Sequence, residues 1–152
     1  MKTIDILVGT TSGNTEYLAD QLQQLLDADG RQCRVHYEPD LVDLDNTGIW
    51  LICVASHGAG DYADSMLQFA EQLAACETRL DDLRYAVIAV GESCYDTYCA
   101  AGRDADQRLQ QLGAKSLVSR LEIDMLEDDP EVKASHWLPQ FSQAVAQLPE
   151  PD

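Results

Sequence analysis

Ile4-Asp5-Ile6-Leu7-Val8-Gly9, followed by Thr10-Thr11-Ser12-Gly13-Asn14-Thr15, decides how the rest of the chain is organised. A short apolar run that halts at a glycine is a strand, and the polar stretch after it is a loop. Beyond the loop, Tyr17, Leu18, Leu22, Leu25 and Leu26 recur at helical spacing until Gly30, which ends the helix. The unit is strand, loop, helix, and it repeats along the chain. Cys33 to Tyr37 is a weaker second strand. Gly48-Ile49-Trp50-Leu51-Ile52-Cys53-Val54-Ala55 is nearly all apolar, as a strand covered on both faces must be. A glycine-rich loop follows it, then a helix carrying Met66, Phe69 and Leu73. Tyr85-Ala86-Val87-Ile88-Ala89-Val90-Gly91 repeats the design, with a helix carrying Arg103, Leu109 and Leu112 that stops at Gly113. Leu117 to Asp124 gives a fifth strand, and a last helix runs from about Glu131 to Ala146 with Trp137, Phe141 and Val145 on one face. Strands and helices that alternate in this way predict an α/β fold: a parallel sheet with helices on both faces, in three α/β/α layers.

The chain of 152 residues suits one domain. It shows no linker, repeat or low-complexity segment, and residues 1–148 are expected to form the domain, with 149–152 a frayed tail marked by Pro149 and Pro151. Ten Lys and Arg stand against 27 Asp and Glu, a net charge of −17. Such a field repels nucleic acid and anionic lipid and favours basic partners, although acids of this kind also serve solubility alone. Asp5 interrupts the only apolar run near the amino terminus, and no run of about 20 apolar residues exists for a membrane span. The expectation is a soluble, cytoplasmic monomer. The five cysteines (33, 53, 76, 94 and 99) form no CxxC pair, which argues against a disulfide framework and against a metal site. Cys53, inside an apolar strand, is a small core residue.

Three loops follow three apolar strands, at the edge where sheets of this class hold their ligands. The first offers hydroxyls at Thr10, Thr11, Ser12 and Thr15 and the Asn14 amide, with Gly13 letting backbone amides turn inward and a helix N-terminus behind it. It has no Lys or Arg and is neither a Walker A loop nor GxGxxG, so it suits a terminal monophosphate. The same residues also suit a polar helix cap. The second loop, Ser56-His57-Gly58-Ala59-Gly60-Asp61-Tyr62, has two glycines that allow a peptide to flip or simply make a tight turn. His57 has no nucleophile with a partner carboxylate at a suggestive spacing, which leaves no catalytic residue to name. The third loop, Gly91-Glu92-Ser93-Cys94-Tyr95-Asp96-Thr97-Tyr98-Cys99, presents Tyr95 and Tyr98, either to stack on a flat ring system or to pack on their own helix.

Together these loops resemble those of the flavodoxins. Thr10 to Thr15 is similar to the family's T/S-x-T/S-G-N-T phosphate loop, Gly91 to Tyr95 with Tyr98-Cys99 to its G-D-S-S-Y-x-x-F-C loop, and Ser56 to Asp61 to the S/T-aromatic-G-x-G-D loop that flavodoxins share with diflavin reductase domains. The likeness runs from the first strand to the last helix. Asp124-Met125-Leu126-Glu127 follows the fifth strand without a long insertion, so the chain is similar to the short-chain type, above all the small bacterial MioC/YqcA-like flavodoxins. The resemblance implies a five-stranded parallel sheet in the order 2-1-3-4-5 and a non-covalent FMN. It places Thr10, Thr11, Ser12, Gly13, Asn14 and Thr15 on the phosphate and Tyr95 on the outer ring face. His57 falls where many relatives have Trp or Tyr on the inner face, and Gly58 sets its carbonyl near flavin N5. Ser56, Ala59, Gly60, Gly91, Ser93 and Tyr98 complete the contact set, and backbone groups of Glu92 and Cys99 meet the pyrimidine edge.

The implied function is single-electron transfer between an NADPH-dependent flavodoxin or ferredoxin reductase and redox acceptor proteins, docked through an acidic face. The alternative within the same fold is an FMN-dependent NAD(P)H or quinone oxidoreductase. Tyr95 covering the ring, and the lack of extra loops, count against that alternative.

Overall fold

The computed structural model describes residues 4–9, 14–28, 30, 32–37, 40–41, 44, 48–57, 61–62, 67–91, 100–124 and 128–147. In chain order the elements are β1 (Ile4–Gly9), α1 (Asn14–Ala28), β2 (Cys33–His36), β3 (Ile49–His57), β4 (Asp61–Tyr62), α2 (Leu67–Ala75), β5 (Arg84–Gly91), α3 (Ala100–Gln111), β6 (Lys115–Ser116), β7 (Leu121–Asp124) and α4 (Pro130–Ala146). The sheet runs β2-β1-β3-β5-β6, with β7 also on β5 and β4 on β3. All these pairings are parallel except β3 with β4. This is the expected α/β/α sandwich and strand order, with a short hairpin strand added.

Alternation along the buried strands sends side chains to two separate cores. Ile4, Ile6 and Val8 of β1, Leu51 and Cys53 of β3, and Ile88 and Val90 of β5 pack under α1 and α4. Leu7, Trp50, Ile52, Val54, Val87 and Ala89 face the other way, under α2 and α3. The helices supply matching stripes. Leu18, Leu22 and Leu26 of α1 are buried, whereas Leu25 lies off the stripe and is exposed. On α4, Trp137 and Phe141 stack with ring centroids 5.8 Å apart and planes within 6°. Asp129 caps α4, its Oδ1 accepting from the backbone N–H of Glu131 at 3.1 Å and of Val132 at 3.3 Å. Gly30 and Gly113 close α1 and α3 with φ of +81° and +96°, a region that L side chains rarely adopt. Met66 lies outside the described residues, and α2 itself buries Phe69 and Leu73.

The fifth position of the sheet differs from the continuous strand expected over Leu117 to Asp124. Two short strands fill it: β6 pairs with Arg84 and Tyr85, and β7 with Ile88 to Gly91. Between them Leu117 and Val118 both turn toward the α1/α4 core, which breaks the two-residue period of a strand. Polar contacts hold the excursion in place. The Arg120 guanidinium pairs with Asp106 of α3 and, at 3.0 Å, with Glu122. The Tyr85 hydroxyl donates to Asp106 from beneath, and the Trp137 indole N–H donates to the Ser119 carbonyl at 3.1 Å. Arg103 of α3 completes the network with a fork onto Glu122, at 2.8 and 2.9 Å.

The Arg103 hydrogen bonds hold the Glu122 carboxyl below its ordinary value of 4.5, with Arg120 adding and partial burial opposing. A lowered folded-state value means that the ionised form stabilises the fold. That contribution is complete above the ordinary value and disappears as pH falls through the lowered one. Glu122→Gln should therefore lower the urea midpoint at pH 7, and its gap from the unsubstituted protein should close as pH falls below about 4.5. A gap that is the same at all pH values would remove ionisation as the cause.

Candidate functional site

From β1 the chain passes to β2 on one side and to β3 on the other, so the strand order reverses between β1 and β3. At such a point the connections at the carboxyl ends diverge and leave a crevice. Gly9 ends β1 in register with Val54 of β3, and β3 continues beyond it to His57. Gly91 ends β5 in register with Asp124 of β7. α1 starts at Asn14, soon after β1, and aims the positive end of its dipole at this edge.

The described backbone brings Asn14 and Thr15, the first two residues of α1, to the same edge as Ser56 and His57 at the end of β3 and Gly91 at the end of β5. Thr10, Thr11, Ser12, Gly13, Gly58, Ala59, Gly60, Glu92, Ser93, Tyr95, Tyr98 and Cys99 lie outside the described residues. What is fixed is the strand end from which each of these stretches departs. The second loop is narrower than a free loop of its length. β4 turns back antiparallel on β3, pairing Ser56 with Tyr62 and His57 with Asp61, so only 58–60 connect the two strands.

The electrostatics of the edge are set by what is missing from the sequence. Segments 3–30, 35–78 and 85–102 contain no Lys or Arg. None of the three loops can bring a Lys or Arg to an anionic ligand. A phosphate group there would rest on the α1 dipole, backbone amides and hydroxyls, a donor set that fits the monoester of FMN and does not fit a triphosphate. Among the described residues no cluster of His, Cys, Asp or Glu could hold a metal ion.

Asp124, a buried carboxylate, closes β7 opposite Gly91. Asp128 fastens the chain just beyond it, its Oδ2 accepting from the Asp124 backbone N–H and from the Lys133 ammonium, both at 2.8 Å. Lys133 holds the Asp128 carboxyl below its ordinary range.

A doubly wound sheet whose strand order reverses between β1 and β3, with polar loop sequences free of Lys and Arg after β1, β3 and β5, defines a flavodoxin-like nucleotide-binding protein. The chain belongs to the flavodoxin family, whose model matches residues 6–137. It is 37% identical over 143 residues to the MioC homologue of Haemophilus influenzae, covering 93% of this chain and 98% of that protein. It is 36% identical to the MioC protein of Escherichia coli K12, covering 91% of this chain and 95% of that one. It is also 35% identical to part of the sulfite reductase [NADPH] flavoprotein alpha-component of Bacillus subtilis, spanning 90% of this chain but only 23% of that longer protein. Among solved structures, a cysteine-to-serine mutant of flavodoxin from Pseudomonas aeruginosa superposes with a TM-score of 0.86 at 25% identity, over 95% of this chain and 99% of that chain. The protein binds FMN and transfers electrons, as this family does.

Cys53 is fully buried in β3, as expected, and burial pushes its thiol up to about 12. Burial, with Asp27 nearby, pushes the thiol of Cys33 up to about 11. Both therefore remain thiols at neutral pH, and the thiolate is the reactive form. In the folded protein at pH 8, iodoacetamide should leave Cys33 and Cys53 unmodified on a time scale that fully alkylates the urea-unfolded chain, as read by peptide mass spectrometry. Rapid alkylation of Cys53 in the folded state would contradict the burial of β3.

Proposed function

We propose that residues 1–148 form a single FMN domain and that the three loops at its carboxyl edge hold the cofactor. The observation that carries this reading is the convergence of Asn14, His57 and Gly91 at the ends of neighbouring elements beside the switch point. FMN supplies the capacity to take up and release electrons one at a time, and the protein supplies orientation and field. Thr10, Thr11, Ser12, Gly13, Asn14 and Thr15 hold the phosphate. Tyr95 covers the outer ring face, while His57 takes the inner face with a smaller, titratable ring. Ser56, Ala59, Gly60, Gly91, Glu92, Ser93, Tyr98 and Cys99 line the remaining edge. Gly58 would offer its carbonyl to flavin N5, and its missing Cβ would make a turn of that peptide inexpensive.

The proposed role is that of a cytoplasmic, monomeric carrier rather than an enzyme with its own substrate. Support comes from relatives of the same length and from the absence of Lys and Arg in the segments that reach the carboxyl edge. Asp61, Asp64, Glu92 and Asp96 leave that face acidic and suited to a basic, NADPH-dependent flavodoxin or ferredoxin reductase and to acceptors of like charge. On its own the purified protein should not oxidise NADPH steadily; sustained turnover without a reductase would favour the oxidoreductase alternative.

Two measurements test the proposal. Apoprotein should take up about one FMN per chain and bind riboflavin far more weakly, because riboflavin leaves the donors of the first loop unsatisfied. Tyr95→Ala should weaken FMN by roughly 1–3 kcal/mol through lost stacking, by analogy with bases on aromatic side chains. Equal affinity for the two flavins in a titration followed by fluorescence quenching would displace the phosphate from the first loop. Separately, reduction by a flavodoxin or ferredoxin reductase should slow steeply with added salt, because exposed charges are screened beyond about 8 Å near physiological ionic strength. A stopped-flow rate indifferent to salt would show that the −17 charge serves solubility alone.

A further inference from the structure

α3 lies closer to the sheet at one point than any residue with a side chain would permit. A Cβ on Gly102 would overlap the Ala89 methyl, stand 3.1 Å from Ala89 Cα and touch Val54 Cγ1 at 3.5 Å. The next residue, Arg103, makes its fork onto Glu122. These partners belong to a single rung of the sheet, since Val54 of β3 pairs with Ala89 of β5 and Ala89 pairs with Glu122 of β7. Consecutive residues of the first turn of α3 thus seat on consecutive residues of one rung, one by close packing and the other by a bidentate ion pair. That rung is also the neck of the third loop. Ala89 is two residues before Gly91, where the loop departs, and Gly102 is two residues after Ala100, where α3 begins. The approach of Gly102 to Ala89 sets how far Ala100 stands from Gly91.

We infer that Gly102 is a positioning residue for the cofactor: by its close approach to Ala89 it fixes the spacing between Gly91 and Ala100, the two residues between which the third loop runs. The inference rests on the FMN reading above. A methyl at residue 102 cannot be absorbed by rotating a flexible side chain, because the obstruction is the Ala89 methyl and backbone. The first turn of α3 must rise, and Ala100 with it, away from Gly91. The obstruction is also removable. Taking the methyl from Ala89 removes the overlap and leaves only a tight 3.1 Å contact with its Cα, so Ala89→Gly should largely rescue Gly102→Ala.

The test is a double-variant cycle read by FMN affinity of the apoproteins, with thermal midpoints measured on the same samples. Gly102→Ala should weaken FMN at least tenfold. Ala89→Gly/Gly102→Ala should bind within threefold of Ala89→Gly alone. Val145→Ala, a core truncation on the opposite face between α4 and the sheet, serves as the control for lost stability. It should lower the midpoint and leave FMN affinity within twofold. Gly102→Ala that binds FMN as the unsubstituted chain does, or a double variant no better than Gly102→Ala, overturns the inference. So does a Val145→Ala loss equal to that of Gly102→Ala at the same midpoint, since affinity would then simply follow stability. Should Gly102→Ala not fold, the comparison of the double variant with Ala89→Gly decides alone. An unsubstituted apoprotein that binds no FMN refutes the FMN reading instead. The neck is then read in the apoprotein by NMR: amide signals of residues 92–99 should move in Gly102→Ala and return in the double variant, and unmoved signals would overturn the neck as well.

Discussion

Water is shut out of both faces of β1, β3 and β5, and most of the molecule follows from meeting that condition. Each strand must be apolar on both sides, so no alternate residue is left over for polar chemistry. Burial of side chains such as Trp50, Ile52, Phe69 and Phe141 stabilises the fold by about 1.5–3 kcal/mol each. Polar and conformationally special residues are thereby driven to the strand ends. The two ends are not equivalent in a parallel sheet, because every helix returns the chain to the same side. Arg34, Arg84 and Lys115 lie near the amino edge on β2, β5 and β6, while the carboxyl edge receives glycines, hydroxyls and helix N-termini. The site is where the covered sheet opens.

Asp5 is a charged group inside the dry sheet, and its place is informative. Asp5 is on β1, only 1% exposed, with its Oδ1 held by Arg34 at 3.2 Å and His36 at 2.9 Å. Its Oδ2 has no hydrogen-bond partner among the described residues. Both partners come from β2, the outermost strand, where a long side chain can reach the carboxylate and keep its own head near water. The Asp106 cluster does the same at the opposite margin, joining α3 to the excursion between β6 and β7. Ionic groups thus tie down the two edge positions, where apolar covering is thinnest, and stay away from β3 in the centre.

The sequence made the strands, helices and their order legible because each carries a strong period or an unbroken apolar run. Trp137, Phe141 and Val145 of α4, and the stops at Gly30 and Gly113, are of this kind. The split of the fifth strand was not legible, since Leu117, Val118, Leu121 and Ile123 are all good strand residues. What interrupts them is the reach of Arg120 to Asp106, a contact between residues 14 apart that no local window contains. The β4 return was likewise hidden, because two residues are too few to show a period. The three loops were recognisable by composition and by family likeness, which name residue types in order but not their positions in space. Strand register adds where each loop begins.

Glycines in this fold answer to two different constraints, and the difference bears on the site. Gly30 and Gly113 occupy positive φ, and Gly113 also has the side chains of Arg79 and Asp81 against it, so sequence alone marks both as helix stops. Gly102 is inside α3, where glycine costs roughly 0.5–1 kcal/mol relative to alanine. Nothing in helix propensity favours it there. Its presence is explained by the Val54–Ala89–Glu122 rung beneath, which leaves no room for a Cβ. Conflict of this kind between local preference and global packing tends to be found at functional places. Here it falls at the neck of the loop that carries Tyr95, whereas Pro139, the comparable irregularity in α4, lies in a helix on the opposite face. The fold accepts a weaker helix at the turn that packs directly on Ala89, two residues before β5 ends.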